Sequence, residues 1–143
     1  MNEVELDIYS SSTESELPLP YSSSGIATGF PSPAENYMEQ PLDLNKLVIR
    51  NPSSTFFANV KGLSMIDEGI NDGDLLVIDK SIHPYNGCVA VCFIDGEFTL
   101  KRFKKENNHA WLIPANKDFK PIRVDDRNDF MIWGVVTYVI KKM

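Results

Sequence analysis

Two cysteines and two histidines are all that 143 residues contain, and that scarcity excludes much chemistry. Cys88 and Cys92 stand four apart on a segment with strand character. At about 3.3 Å per residue they share a face yet sit roughly 13 Å apart, too far for a disulfide without bending the chain. The same spacing argues against one zinc ion held by both, and His83 and His109 supply no second close pair of ligands. All four are read as structural or surface residues, and no metal or cofactor is expected.

Long apolar runs are missing as well. Nothing approaches the ~18 residues of a membrane span, and Met1-Asn2-Glu3-Val4-Glu5 lacks the basic start of a secretory signal. The expectation is a cytoplasmic protein. Basic charge is in deficit too, with a formal net charge of -6, which suits protein partners better than a grip on DNA phosphates. The deficit is uneven: residues 1–28 hold Glu3, Glu5, Asp7, Glu14 and Glu16 and no Lys or Arg. Without them the chain keeps 15 acids against 14 bases, a net of -1.

What is present divides the chain in two. Residues 1–28 are Ser-rich, and Pro18 and Pro20 deny them a long helix, so they read as a flexible arm with little core of its own. Residues 29–143 have the composition of one folded domain. A short helix is expected near Asp43, within residues 41–49. Strands are expected over 56–61, 75–79, 88–94, 97–103, 110–113 and 131–140. Asp95-Gly96, between two β-rich runs, is a two-residue hairpin signal that pairs 88–94 with 97–103. The fold class is mainly β, with at most one or two short helices.

Ser64, in Gly62-Leu63-Ser64-Met65-Ile66, and Lys101, on an alternating apolar segment, carry the chemistry that this composition leaves open. A serine hydroxyl needs a base to remove its proton, usually a histidine oriented by a carboxylate. Neither histidine has an evident reason to approach Ser64, since His83 precedes Pro84 and His109 follows the polar run Glu106-Asn107-Asn108. A lysine can substitute if burial among apolar groups keeps it neutral, against a reference pKa of about 10.4. Alternation places Lys101 on one face with Thr99 and Phe103, and puts Phe98, Leu100 and Arg102 on the other. The bland alternatives are a solvated charge in the cluster Lys101-Arg102-Lys104-Lys105 and an ordinary turn serine. Gly62 permits close approach of backbone to a substrate, so backbone N–H groups near Ser64 are candidates for an oxyanion hole. Gly25-Ile26-Ala27-Thr28-Gly29-Phe30 has small residues that a narrow protease cleft admits.

Taken with further landmarks, these residues resemble the LexA/UmuD-type self-cleaving Ser/Lys peptidase family. The landmarks are Gly29-Phe30-Pro31-Ser32-Pro33-Ala34, Leu42-Asp43-Leu44-Asn45, the Ser64 run extended to Asp67, Gly69-Ile70-Asn71-Asp72-Gly73-Asp74-Leu75-Leu76, Asp95 to Lys101, Leu112-Ile113-Pro114 and Gly134-Val135-Val136. The resemblance covers most of residues 29–143. It implies a LexA/signal-peptidase-like β fold, Ser64 as nucleophile, Lys101 as general base, and backbone donors at Leu63 and Ser64. It further implies cutting at Thr28-Gly29, promoted by a RecA filament on single-stranded DNA in the SOS response. The trimmed homodimer would then join the catalytic subunit of an error-prone Y-family translesion polymerase.

Two residues depart from the family's pattern. Thr28 stands where relatives usually carry Ala or Cys, and its β-branch is stiffer and bulkier beside the cut. Leu63 stands where UmuD-like chains often carry Asp, although LexA-like members also have an apolar residue there. Twenty-eight Ser-rich acidic residues cannot supply the DNA-binding helical domain of a repressor, so direct sequence-specific DNA binding is not expected. The alternative from another class is a non-catalytic regulatory module that binds a polymerase or other partner, with Ser64 and Lys101 as relics. A protease acting on other proteins, such as a signal-peptidase relative, is disfavoured by the lack of a membrane anchor.

Overall fold

The computed structural model describes residues 4–12, 18–19, 41–62, 68–114, 120–125, 127 and 131–143. Among them are ten strands and one helix: β1 Val4–Ser10, β2 Pro18–Leu19, β3 Leu42–Asp43, α1 Leu44–Val48, β4 Thr55–Gly62, β5 Leu75–Asp79, β6 Val89–Ile94, β7 Glu97–Lys105, β8 Ala110–Ile113, β9 Ile122–Val124 and β10 Ile132–Ile140. The fold is mainly β, as expected. Asp43 caps the helix, its side chain accepting a hydrogen bond from the Asn45 N–H at 3.0 Å. No helix among the described residues is long and apolar enough to cross a membrane.

Eight strands form one sheet in the order β1-β4-β5-β10-β6-β7-β8-β9, and β2 pairs with β3 separately. Every ladder is antiparallel. The β6–β7 hairpin turns on Asp95 and Gly96, with Ile94 opposite Glu97. Both turn residues have positive φ, 52° and 79°, the twist that a two-residue hairpin requires. β1 contacts β7 although four strands separate them in the sheet. The sheet must therefore curl strongly.

The curl encloses one of two cores. Ala58, Val60, Ile70, Leu76, Ile78, Val91 and Leu100 form the first, with Leu6, Ile8, Phe98 and Trp133 packed against it. Cys88, Ala90, Cys92, Phe103, Ala110, Leu112, Val124 and Val135 form the second, on the other face. A bulge in β10 lets one strand serve both: Ile132 faces Cys92, but Gly134 faces Val91, so an extra residue reverses the side chains between them. Trp133 and Val135, two apart, thus reach opposite cores.

Gly134 is needed at this crossing. A Cβ built there would lie 2.7 Å from Ile78 Cγ2, inside van der Waals contact. Gly134→Ala is expected to cost about 1–3 kcal/mol through overpacking. Urea unfolding checks this, and an unchanged midpoint would show that Ile78 yields freely.

The arm is not without structure along its whole length. Val4–Ser10 forms one of the two edge strands of the main sheet, paired with β4 at seven positions from Val4↔Gly62 to Ser10↔Phe56. The cause is local: Leu6 and Ile8 alternate with Glu5, Asp7 and Tyr9, the period of a half-buried strand. The serine content that follows masks that signal in a composition-based reading.

Candidate active site

β7 presents Thr99, Lys101 and Phe103 on one face, and all three are buried. Lys101 is 7% exposed, which removes the reading of a solvated charge. Its cross-strand partner is Ala90 of β6. On the other side the β7–β8 ladder begins one residue later, with Arg102 opposite Ile113. A lysine side chain is thereby set in mid-sheet, with Ala90 across the ladder and Thr99 and Phe103 on its own face. Cys92 reports the same environment. Burial pushes its thiol up to about 12, the charge of Lys101 acting in the opposite direction.

Ser64 and Leu63 lie outside the described residues, as do Thr28 and Gly29. The flanks of the Ser64 segment are described. β4 ends at Gly62, and Glu68 forms an ion pair with Arg102, the residue after Lys101 on β7. The Arg102 guanidinium also donates to the Gly87 carbonyl. Ile70 follows, fully buried in the first core. From residue 64 to residue 68 an extended chain spans at most roughly 14 Å. The segment carrying Ser64 is therefore tied at its far end to the strand that carries Lys101.

The loop after Ile70 is fastened to β4. The Val60 N–H donates to the Asp74 carbonyl and the Gly73 N–H to the Val60 carbonyl, both at 2.9 Å. The buried Asp74 carboxylate accepts from the Asn71 N–H at 2.8 Å and from Lys141 Nζ. Burial works to raise its pKa, but the bonds from Lys141 and Asn71 prevail and hold it below the usual value. The sequence reading did not single out Asp74, although Asn71-Asp72-Gly73-Asp74 is visible as a turn.

The histidines lie elsewhere. His83 and His109 line a cavity of about 520 Å³, floored by Phe103, Val124 and Ile132. His109 stands edge-on to Trp111 with ring centroids 5.6 Å apart. Among the described residues no group of three or more His, Cys, Asp or Glu side chains is placed to hold a metal ion. Cys88 and Cys92 are both buried free thiols.

Comparison with known proteins adds an independent observation. The family model described as Peptidase S24-like matches residues 20–137. Protein MucA of Salmonella typhimurium is 42% identical over 137 residues, covering 94% of this chain and 93% of MucA. Protein ImpA of Shigella flexneri is 44% identical over 114 residues, 80% of this chain and 77% of ImpA. The LexA repressor of Ectopseudomonas mendocina is 38% identical over 118 residues, which is 82% of this chain and 57% of the repressor.

Proposed function

We propose, since this chain belongs to the Peptidase S24-like family, that it is a serine peptidase that cuts its own Thr28–Gly29 bond with Ser64 and Lys101. The observation that carries the reading is the burial of Lys101 in mid-strand. A lysine is seldom buried without a reason, because desolvation of its charge is costly, and a peptidase provides that reason. The Glu68–Arg102 tie supports the approach of the Ser64 segment to β7.

The chemistry follows from these groups. An unprotonated Lys101 amine takes the proton from Ser64 Oγ as the oxygen attacks the Thr28 carbonyl carbon. The oxyanion that forms is met by the backbone N–H groups of Leu63 and Ser64. Collapse breaks the C–N bond, and the Lys101 ammonium returns the proton to the departing Gly29 amine. Water then hydrolyses the ester between Thr28 and Ser64.

The wider role in this reading is a switch in the SOS response. A RecA filament on single-stranded DNA promotes the cut, and the trimmed homodimer serves an error-prone Y-family polymerase as accessory subunit. The test is incubation of the purified chain at about pH 10, where lysine amines in general lose protons, beside a neutral sample with RecA, single-stranded DNA and nucleotide. Intact-mass spectrometry should find a fragment that begins at Gly29. No fragment under either condition would favour the non-catalytic module.

Thr28 sets the rate in this scheme. Its β-branch restricts χ1 and crowds the attacked carbonyl, so Thr28→Ala is expected to speed cleavage about tenfold, a change of ~1.4 kcal/mol in barrier. A time course by gel and mass checks it, and an equal or slower rate would show that the branch does not limit attack.

A further inference from the structure

β1 is an edge strand of the main sheet, as β9 is at the far side, and in sequence the Thr28–Gly29 bond separates β1 and β2 from all the other described elements. Seven residues of β1 pair with β4, where Leu6 lies opposite Val60 and Ile8 opposite Ala58. Both side chains are half-buried over the first core. Outside that face, Asp7 forms an ion pair with Lys61. Hydrogen bonding to Asp7 and its charge raise the Lys61 ammonium above its ordinary value, with Glu5 adding to the effect. Ser11 Oγ donates to the Pro52 carbonyl at 3.1 Å.

β1 also touches β7, and the same N-terminal segment carries β2, which pairs with β3 at Pro18↔Asp43 and Leu19↔Leu42. All these attachments are non-covalent, and they are set against the entropy of ordering the segment, with the surface ion pair adding little. The covalent connection keeps the segment at an effective concentration of the order of millimolar. Cutting the connection removes that advantage and makes retention of the segment depend on protein concentration. When the segment leaves, β4 stays paired with β5 on its inner side, while its outer N–H and C=O groups become an open edge with Ala58 and Val60 less covered.

We propose that the outer edge of β4, from Phe56 to Gly62, is a strand-docking surface that the cut opens. It takes an extended segment of a protein partner with apolar residues at alternate positions and carboxylates that meet Lys61. The chemistry of the occupant is read from β1, whose Glu5-Leu6-Asp7-Ile8 run fills the edge in the intact chain. Main-chain hydrogen bonds supply affinity, and the alternate side chains with the Lys61 contact supply register. The inference rests on the proposed scission for its trigger. Its test does not.

A recognition sequence for a site-specific protease is inserted between Ser23 and Ser24 in a Ser64→Ala chain, so that an external enzyme makes the cut. Native mass spectrometry follows the N-terminal fragment, and fluorescence anisotropy follows a labelled peptide of residues 4–12. The expected result is loss of the fragment and peptide binding at least about tenfold tighter to the nicked than to the intact chain. Lys61→Glu should weaken peptide binding about fivefold, and a peptide with Asp7→Lys should recover it. An uncut Ile8→Asp chain, whose β1 is loosened, should gain the same binding, which guards against a nicked chain that fails to hold its fold. A fragment that stays bound and blocks the peptide, equal binding to nicked and intact chains, or indifference to the charge swap would each overturn the proposal. Association of nicked chains that the peptide does not reverse would assign the edge to a second copy and overturn the partner assignment.

Discussion

Ser64→Ala and Lys101→Ala are each expected to lower the rate of self-cleavage by at least ~10³-fold, and the double variant to be no slower than either. The non-additivity is the informative part, because a nucleophile and its base act as a unit. Lys101→Arg should be as inactive as Lys101→Ala, since a guanidinium does not give up its proton in proteins. Lys101→Met separates chemistry from folding. It keeps the length of the side chain beside Ala90, Thr99 and Phe103 while removing the amine from a site only 7% exposed. Apolar residues that conserve the buried volume are the replacements a packed interior tolerates best. Lys101→Met should therefore stay folded, with a urea midpoint closer to the parent than that of Lys101→Ala, and yet not cut. The readouts are a cleavage time course by intact mass and a urea midpoint. Residual cleavage in Lys101→Met near the parent rate would sink the role of base.

The local elements were legible because they depend on neighbours in sequence. β5 and β8 fall on the expected residues, and β4, β6, β7 and β10 differ only at their ends. Asp95-Gly96 specified its hairpin, and the face shared by Thr99, Lys101 and Phe103 followed from alternation. The family resemblance read from the motifs is borne out by the match over residues 20–137. Sheet order was not legible. β10 lies between β5 and β6, a pairing set by long-range packing that no short-range signal encodes. β9 has three residues, too few to show a period. β1 has the period, but its acidic and serine-rich setting concealed it. The burial that distinguishes Lys101 from Lys104 and Lys105 could be expected from pattern but needed the fold to be seen.

Asp79→Ala is expected to be among the most destabilising single changes, at about 2–4 kcal/mol at neutral pH. Asp79 ends β5, opposite Thr55 of β4 and Val135 of β10, and is buried. Its Oδ1 accepts from the Ser81 N–H at 2.8 Å, Ser81 Oγ at 2.6 Å and Ser54 Oγ at 3.0 Å. Its Oδ2 accepts from Asn51 Nδ2 at 3.2 Å. One carboxylate thus joins the turn before β4 to the turn after β5, and alanine leaves these donors without it. Asp79→Asn should cost less, because an amide oxygen can keep the Ser54 and Ser81 bonds and only the contact with Asn51 is lost.

The pH dependence distinguishes this account from simple loss of volume. Burial works to raise the Asp79 pKa, but the hydrogen bonds from Ser81, Asn51 and Ser54 prevail and hold it below the usual carboxylate range. A group depressed in the folded state contributes its full stability above the unfolded value of about 3.9, and loses it as pH falls through the folded value. Asp74, lowered by Lys141 and Asn71 against burial, follows the same sign. The parent should therefore hold its stability from neutral pH down to about 4 and lose it below. In Asp79→Ala that part of the acid loss is already gone, so the gap between the two proteins should narrow as pH falls below about 4. Urea midpoints across the acid range measure the gap. A gap that stays constant from neutrality through the acid limb would mean that the carboxylate charge is not what holds the two turns together.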